Sequence, residues 1–287
     1  RRCLRGRASC DGDGLILAAT VDGRPGSQAL RGRTRAGRLR HWDDVLISVL
    51  GESLRAAPSA LVVDVGLGDR PDTTLELALA LRSEGLRNPV LGVDADGERV
   101  RAARAWESPE DVRFVHADLR ELGEHCAGAL VVRAANVLRQ APLRAVPALH
   151  EALIGVLRPG GLVLEGSTDL PGDIGAFHLL RRGPTLAVNR EALAFVTSFQ
   201  GGFAPLRFRD HLPRDLRHGV RPDTQLAGFF SQWTAAFSRA RASGCKDAAG
   251  LFRQSVLDCP ALHLLTLADG GLGALWRPAE GVLPDGC

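Results

Sequence analysis

The chain has 287 residues, enough to bury a full core as one large domain or as a core with an appendage. Its 45% hydrophobic and 24% charged residues are those of an ordinary soluble globular protein, and no apolar run reaches the roughly 18 residues of a membrane helix. A net charge of +3 does not by itself argue for a nucleic-acid partner, and six scattered cysteines without a Cys-x-x-Cys pair indicate neither a zinc site nor a disulfide framework.

The chain opens on Arg1, Arg2, Arg5 and Arg7, and Arg31, Arg33, Arg35, Arg38 and Arg40 recur before His41-Trp42. Guanidinium forks match phosphate oxygens, so this segment can bind phosphate or RNA, but a solvated arm over residues 1–41 is the favoured reading. No apolar h-region follows the basic start, which leads to an expectation of cytoplasmic residence. Trp42 to Leu54 groups Val45, Leu46, Val49 and Leu50 on one face and predicts the first core helix.

Ala60-Leu61-Val62-Val63-Asp64-Val65-Gly66-Leu67-Gly68 is an apolar run that ends in an acid and two glycines, then leads through a brief loop into a helical pattern from Leu75 to Leu86. It predicts a buried parallel strand turning into a helix, with a bend free of side chains where main chain can approach a ligand. Thr73 and Glu76 have capping-box spacing, and Asp72 is an alternative N-cap. Asp69 stands where a pyrophosphate would lie, so a cofactor without phosphates suits the loop better.

Four further apolar runs follow: Asn88 to Asp96, Val112 to Leu119, Ala129 to Leu138, and Leu157 to Glu165, the last entered through Pro159-Gly160-Gly161. Helical patterns over Gly97 to Trp106 and Val146 to Leu157 separate them. This alternation predicts an α/β fold with a doubly wound, mostly parallel sheet, helices on both faces and ligands at the carboxyl ends of the strands. Ala176 to Leu180 and Ala192 to Val196 are late, partly antiparallel strands that complete a seven-stranded sheet, with Thr185 to Val188 as a hairpin partner. A long helix is predicted over Thr224 to Arg241, its Leu226, Phe229, Phe230, Trp233 and Phe237 forming a stripe read as core. A last strand is expected near Ala274-Leu275-Trp276. The domain organisation is thus a basic arm (1–41), a cofactor-binding core (42–170) and a C-terminal extension (171–287) that completes the sheet and the substrate pocket.

Asp64, Asp94 and Asp118 each end a strand. Asp64 either anchors the amino group of a cofactor or caps the nearby helix, and Asp94 either takes both ribose hydroxyls or is a solvated turn acid. Asp118 either contacts a ligand or caps its own turn, and Asn136 positions a ligand or forms a turn. His116, His125 and His178 have no spacing that suggests a metal site, so no metal is expected.

Taken in order, these segments resemble the class I S-adenosylmethionine-dependent methyltransferase superfamily from about Leu61 to Glu165, and the whole chain looks like methyltransferase-like proteins of high-GC bacteria. Asp64-Val65-Gly66-Leu67-Gly68 is similar to its glycine-rich first motif, Gly92-Val93-Asp94 to its ribose-binding acid, and His116-Ala117-Asp118-Leu119 to its adenine-contacting acid. Asn136-Val137-Leu138 resembles the segment after the fourth strand, and Leu157-Arg158-Pro159-Gly160-Gly161 the turn into the fifth. The resemblance implies a Rossmann-like fold, S-adenosylmethionine as cofactor, and binding by Asp64, Gly66, Gly68, Asp94, Ala95, Asp118, Leu119 and Asn136. It names no catalytic base and no acceptor, although a small molecule is favoured. The family's third glycine and an Asp near Ala129 are missing, which keeps a catalytically impaired binding or regulatory protein as an alternative. A nicotinamide-dependent oxidoreductase is a third reading.

Overall fold

A computed structural model describes residues 32–108, 110–217, 219–267 and 270–277. Residues 1–31, which carry most of the proposed basic arm, lie outside the described residues. The apolar runs become β1 (Val62–Val65), β2 (Val90–Asp94), β3 (Val112–His116), β4 (Ala129–Ala135) and β5 (Leu157–Thr168). These five pair in parallel in the order β3-β2-β1-β4-β5, the doubly wound α/β arrangement expected from the alternating pattern. Pro159-Gly160-Gly161 lies inside β5, where the pairing steps from Ala129 with Leu157 to Val131 with Leu162. Gly160 has φ 79° there, and a Cβ on Gly161 would stand 3.0 Å from the Leu130 carbonyl oxygen, so this bulge requires glycine.

The second half of the sheet departs from the sequence expectation. β6 (Ile174–Arg182), β7 (Val188–Thr197), β8 (Leu262–Thr266) and β9 (Leu272–Trp276) continue it antiparallel in the order β5-β6-β7-β9-β8. Among the described residues the sheet therefore has nine strands rather than seven, and four of its eight pairings are antiparallel. Thr185 to Ala187 form the turn between β6 and β7 rather than a hairpin partner, and the β8 edge strand was not anticipated. No break separates the two halves, because β5 and β6 pair continuously from Leu162 with Arg181 to Thr168 with Gly175.

α1 (Arg40–Ala56), α2 (Asp72–Ser83) and α3 (Gly97–Ala103) cover one face of the parallel half. On the other face lie α4 (Leu122–Cys126) and α5 (Val146–Gly155), followed along the sheet by α6 (Gln225–Ala242) and α7 (Ala248–Leu257). Asp96, Thr224 and Asp247 cap α3, α6 and α7 by accepting from first-turn amides. The capping box expected at α2 does not form: the helix starts at Asp72 after Pro71 without a side-chain cap. Glu76 is drawn instead to the amide of Gly37, and Thr74 to Asp64. Among the described residues no helix is long and apolar enough to cross a membrane.

The aromatic stripe of α6 is core, as expected. Trp233 is fully buried, stacks on Phe208 at 5.5 Å and donates from Nε1 to Ser255 Oγ at 3.1 Å. Phe229 stacks on Trp276 at 4.3 Å and on Phe195 at 5.6 Å, which ties α6 to the antiparallel half of the sheet. Trp233→Ala removes the centre of this cluster and is expected to lower stability by about 3–5 kcal/mol, read as a drop in the urea midpoint. A change below about 1 kcal/mol would show that the stripe carries little of the packing.

Candidate active site

The parallel order reverses between β1 and β4, and ligands bind at the carboxyl ends of strands at such a point. Gly66 and Gly68 turn the chain there with φ 89° and 72°, conformations that L side chains rarely adopt. Leu67 between them is buried, and Gly92 makes room for it: a Cβ on Gly92 would lie 2.8 Å from Leu67 Cδ2 and 2.6 Å from Phe114 Cδ1. The bend is thus pinned from below by an apolar plug.

Asp94 ends β2 beside this bend. Its Oδ2 accepts from the Leu67 amide at 2.9 Å and its Oδ1 from the Asp96 amide at 2.8 Å, with Arg99 Nη1 at 3.7 Å. The carboxylate is buried and fixed, while Gly66, Ala95 and Asp96 beside it are exposed. Asn136 follows β4 with φ 62°. Its amide donates to the Gly166 carbonyl and its Oδ1 accepts from the Thr168 amide, so it joins the tips of β4 and β5. Val137 reaches back toward the bend, with Cγ2 3.0 Å from where a Cβ on Gly66 would stand. Asp94, the glycine bend and Asn136 therefore sit at one end of the sheet, as the sequence motifs imply.

Two other acids have different work. Asp118 accepts from the Arg120 amide at 3.0 Å, and its own amide donates to Glu121, so it caps its turn. Leu119 beside it packs on the cluster under α4 and α5. Asp64 is buried and faces Arg133, its register partner on β4. Arg133 Nε donates to Asp64 Oδ1 at 2.8 Å, Nη2 donates to the Thr73 carbonyl at 2.8 Å, and Nη1 pairs with Asp43 of α1. Thr74 Oγ1 donates to the other Asp64 oxygen at 2.6 Å. Both Asp64 oxygens are thereby engaged inside the protein, and the expected role of Asp64 as a cofactor anchor gives way to a structural one.

One guanidinium between two buried carboxylates leaves one negative charge over. Burial pushes the Asp43 carboxyl up to about 7, the Asp64 charge adds to the rise, and Arg133 opposes it. The two acids together hold the Arg133 guanidinium firmly protonated against the cost of its burial.

Residues Gly32 to Leu39, placed by the sequence in a solvated arm, form a strap over these strand ends. The Thr34 amide donates to Asp69 at 2.7 Å, the Gly37 amide to Glu76 at 2.8 Å, and Arg38 to the carbonyls of Thr168 and Asp169. The strap rests on the bend itself: a Cβ on Gly68 would lie 2.8 Å from the Gly32 carbonyl oxygen. Sequence reasoning missed the strap because nothing in its composition distinguishes an anchored arginine such as Arg38 from a solvated one. Arg133 was missed because it stands inside an apolar run; a lone charge in a buried strand that pairs with another acid-bearing strand was the available signal.

No protein-family model matches the chain, and no curated protein matches it. Among solved structures it is similar to DszA carbon methyltransferase at 20% identity and TM-score 0.37, over 46% of this chain and 36% of that one. It is similar to the antibiotic-resistance methyltransferase Kmr at 27% identity and TM-score 0.32, over 42% of this chain and 60% of that one. An S-adenosylmethionine-dependent methyltransferase from Mesorhizobium loti is 22% identical at TM-score 0.31, over 41% of this chain and 53% of that one. The chain spans less than two thirds of the length of each.

Arg133→Met strands two buried carboxylates and is expected to cost about 3–5 kcal/mol, measured by urea denaturation. A cost under about 1 kcal/mol would show that the network contributes little. The raised Asp43 carboxyl also fixes a sign. Its proton stabilises the fold fully below the unfolded value near 3.8, and that contribution is lost as pH rises through about 7. Asp43→Asn keeps the neutral form at every pH, so its stability should gain on the native chain as pH rises through that window. Parallel urea midpoints for the two proteins across the window would contradict the shift.

Proposed function

We propose that this chain is a class I S-adenosylmethionine-dependent methyltransferase that holds its cofactor through Asp94 and transfers methyl to a small-molecule acceptor. The observation that supports this most directly is the Asp94 carboxylate, held at the switch point by two backbone amides. A carboxylate offers about four acceptor positions, so the pair of bonds to Leu67 and Asp96 orients it and leaves capacity for two ribose hydroxyls. Gly66 and Ala95 are exposed next to it, and Asn136 faces the same end of the sheet from β4.

S-adenosylmethionine brings an activated methyl group, so the protein's task is to align an acceptor with it and exclude water. Asp94 and the glycine bend would fix the adenosyl end, Asn136 would orient groups near β4, and the strap would shield the site. Asp64 fits this group less well, since its charge is already paired with the fully buried Arg133 inside the core. The methionine ammonium must then find another acceptor among the carbonyls at the strand tips. A dinucleotide suits the site less well, because Asp69 and Asp72 stand at the start of α2 where a pyrophosphate would lie.

The commitment of Asp64 and the contact of Gly32 with Gly68 favour a second reading, a methyltransferase-like protein that binds an adenosyl ligand without transferring methyl. Calorimetric titration with S-adenosylmethionine and S-adenosylhomocysteine separates the two. Micromolar binding is expected, weakened about 10- to 150-fold in Asp94→Asn, as befits a hydrogen bond to a charged group worth about 1.5–3 kcal/mol. Absent binding to the native chain overturns both readings, and binding with no methyl transfer across a broad acceptor panel selects the second.

A further inference from the structure

On the opposite face of the sheet, away from the strap, five elements bring a second set of polar side chains together in the core. Glu165 on β5 and His178 on β6 are cross-strand register partners, and both are buried to within 1%. Asp215, in the turn before α6, places its oxygens 2.9 Å and 3.1 Å from His178 Nε2. His150 of α5 meets Glu165 Oε2 through Nε2 at 3.1 Å, and its ring stands edge-on to His178 at 5.8 Å. Arg190 of β7 donates to Asp215 at 2.7 Å and lies 3.3 Å from His178 Nε2. The Nδ1 atoms of His150 and His178 are buried and have no hydrogen-bond partner among the described residues.

Such a group is costly to bury in a seam between two apolar clusters unless something offsets it. Two carboxylates, two imidazoles and one guanidinium are enclosed together there. One ligand atom each from Glu165, His178 and Asp215 lie within 4.8 Å of one another, close enough for small side-chain rotations to bring all three onto one ion. We propose that Glu165, His178 and Asp215 bind a divalent transition-metal ion of the zinc type, with His150 orienting Glu165.

One imidazole nitrogen and two carboxylates are a donor set that zinc accepts at about 2.0–2.2 Å, with a fourth position for water. His178 would give up its Nε2 contact with Asp215 for the metal. The bond from His150 would hold the Glu165 carboxylate in place, the usual work of an outer partner. The charge of Arg190 opposes the ion. Its side chain is 17% exposed at the rim, so its head can turn to solvent while its stem stays packed. The three ligands come from β5, β6 and the turn that leads into α6, so the ion would staple the antiparallel half of the sheet to the helical layer above it. Close ligation by residues so far apart in the chain also explains why no spacing motif announced it.

The test uses the purified full chain, stripped with chelator, exposed to zinc and desalted. One zinc per chain is expected by elemental analysis, with a higher Tm than the stripped protein. Asp215→Asn and His178→Gln should lose the bound zinc, and His150→Ala should bind it about tenfold more weakly. Arg190→Ala should bind at least as tightly as the native chain. No zinc above background overturns the proposal, as does equal uptake by Asp215→Asn. Should His178→Gln fail to fold, zinc X-ray absorption on the native chain still decides: a nitrogen and oxygen shell supports the site, and a sulfur shell overturns it in favour of the cysteines.

Discussion

The Asp43–Arg133–Asp64 ion network, closed by Thr73 and Thr74, is the constraint on which the architecture of the parallel half depends. A guanidinium wholly removed from water is tolerable only when nearly all of its donors find acceptors. Here those acceptors come from α1, β1 and the first turn of α2, so the position of each element relative to β4 is fixed by one side chain. The valines around it on β1, β2 and β4 supply the apolar burial that drives collapse, and they are indifferent to small shifts in helix placement. The arginine is not. It converts a generally hydrophobic interface into one with a single acceptable geometry.

This has a consequence for the site. Asp64 is consumed in holding α2 and β4, whereas Asp94 at the switch point has exposed neighbours and a setting that depends on the glycine bend. Leu67 links the two levels: its side chain plugs the core beside Gly92 and its amide orients Asp94. A change in core packing under Leu67 would therefore move the carboxylate. The opposite face repeats the theme with different chemistry, since the His150–Glu165 and His178–Asp215 pairs bring charge into the seam between α5 and the α6 layer.

The features legible in the sequence are those written in local periodicity. Five apolar runs gave five parallel strands, and the glycine bend, Asp94 and Asn136 fell at one end of the sheet because strand-end spacing encodes that position. Features made by distant partners were illegible. Thr73 and Glu76 read as a capping box, yet Thr73 offers its carbonyl to Arg133 and Glu76 serves Gly37, while neighbouring Thr74 serves Asp64. The β8 strand has partly exposed alternation at a sheet edge, a weak signal, and the Gly32–Leu39 strap has no periodicity at all. Asp118 shows the intermediate case: the local rule that an acid after a strand caps a turn describes its bonds without any ligand.

Whether the strap closes the site or merely covers it is a question of magnitude. Over the bend it is held by the Thr34–Asp69 bond, an exposed contact worth about 1 kcal/mol net. A ligand with a micromolar Kd brings about 8 kcal/mol, ample to lift Gly32 and Thr34 from Gly68. The anchors farther along, Gly37 on Glu76 and Arg38 on the Thr168 and Asp169 carbonyls, need not move for that to happen. Among the described residues the strap thus lies over the glycine bend at Gly32 and is anchored at the β5 tip through Arg38. A Cβ on Gly68 would meet the Gly32 carbonyl oxygen, so this close approach of two main-chain segments is one that glycine permits.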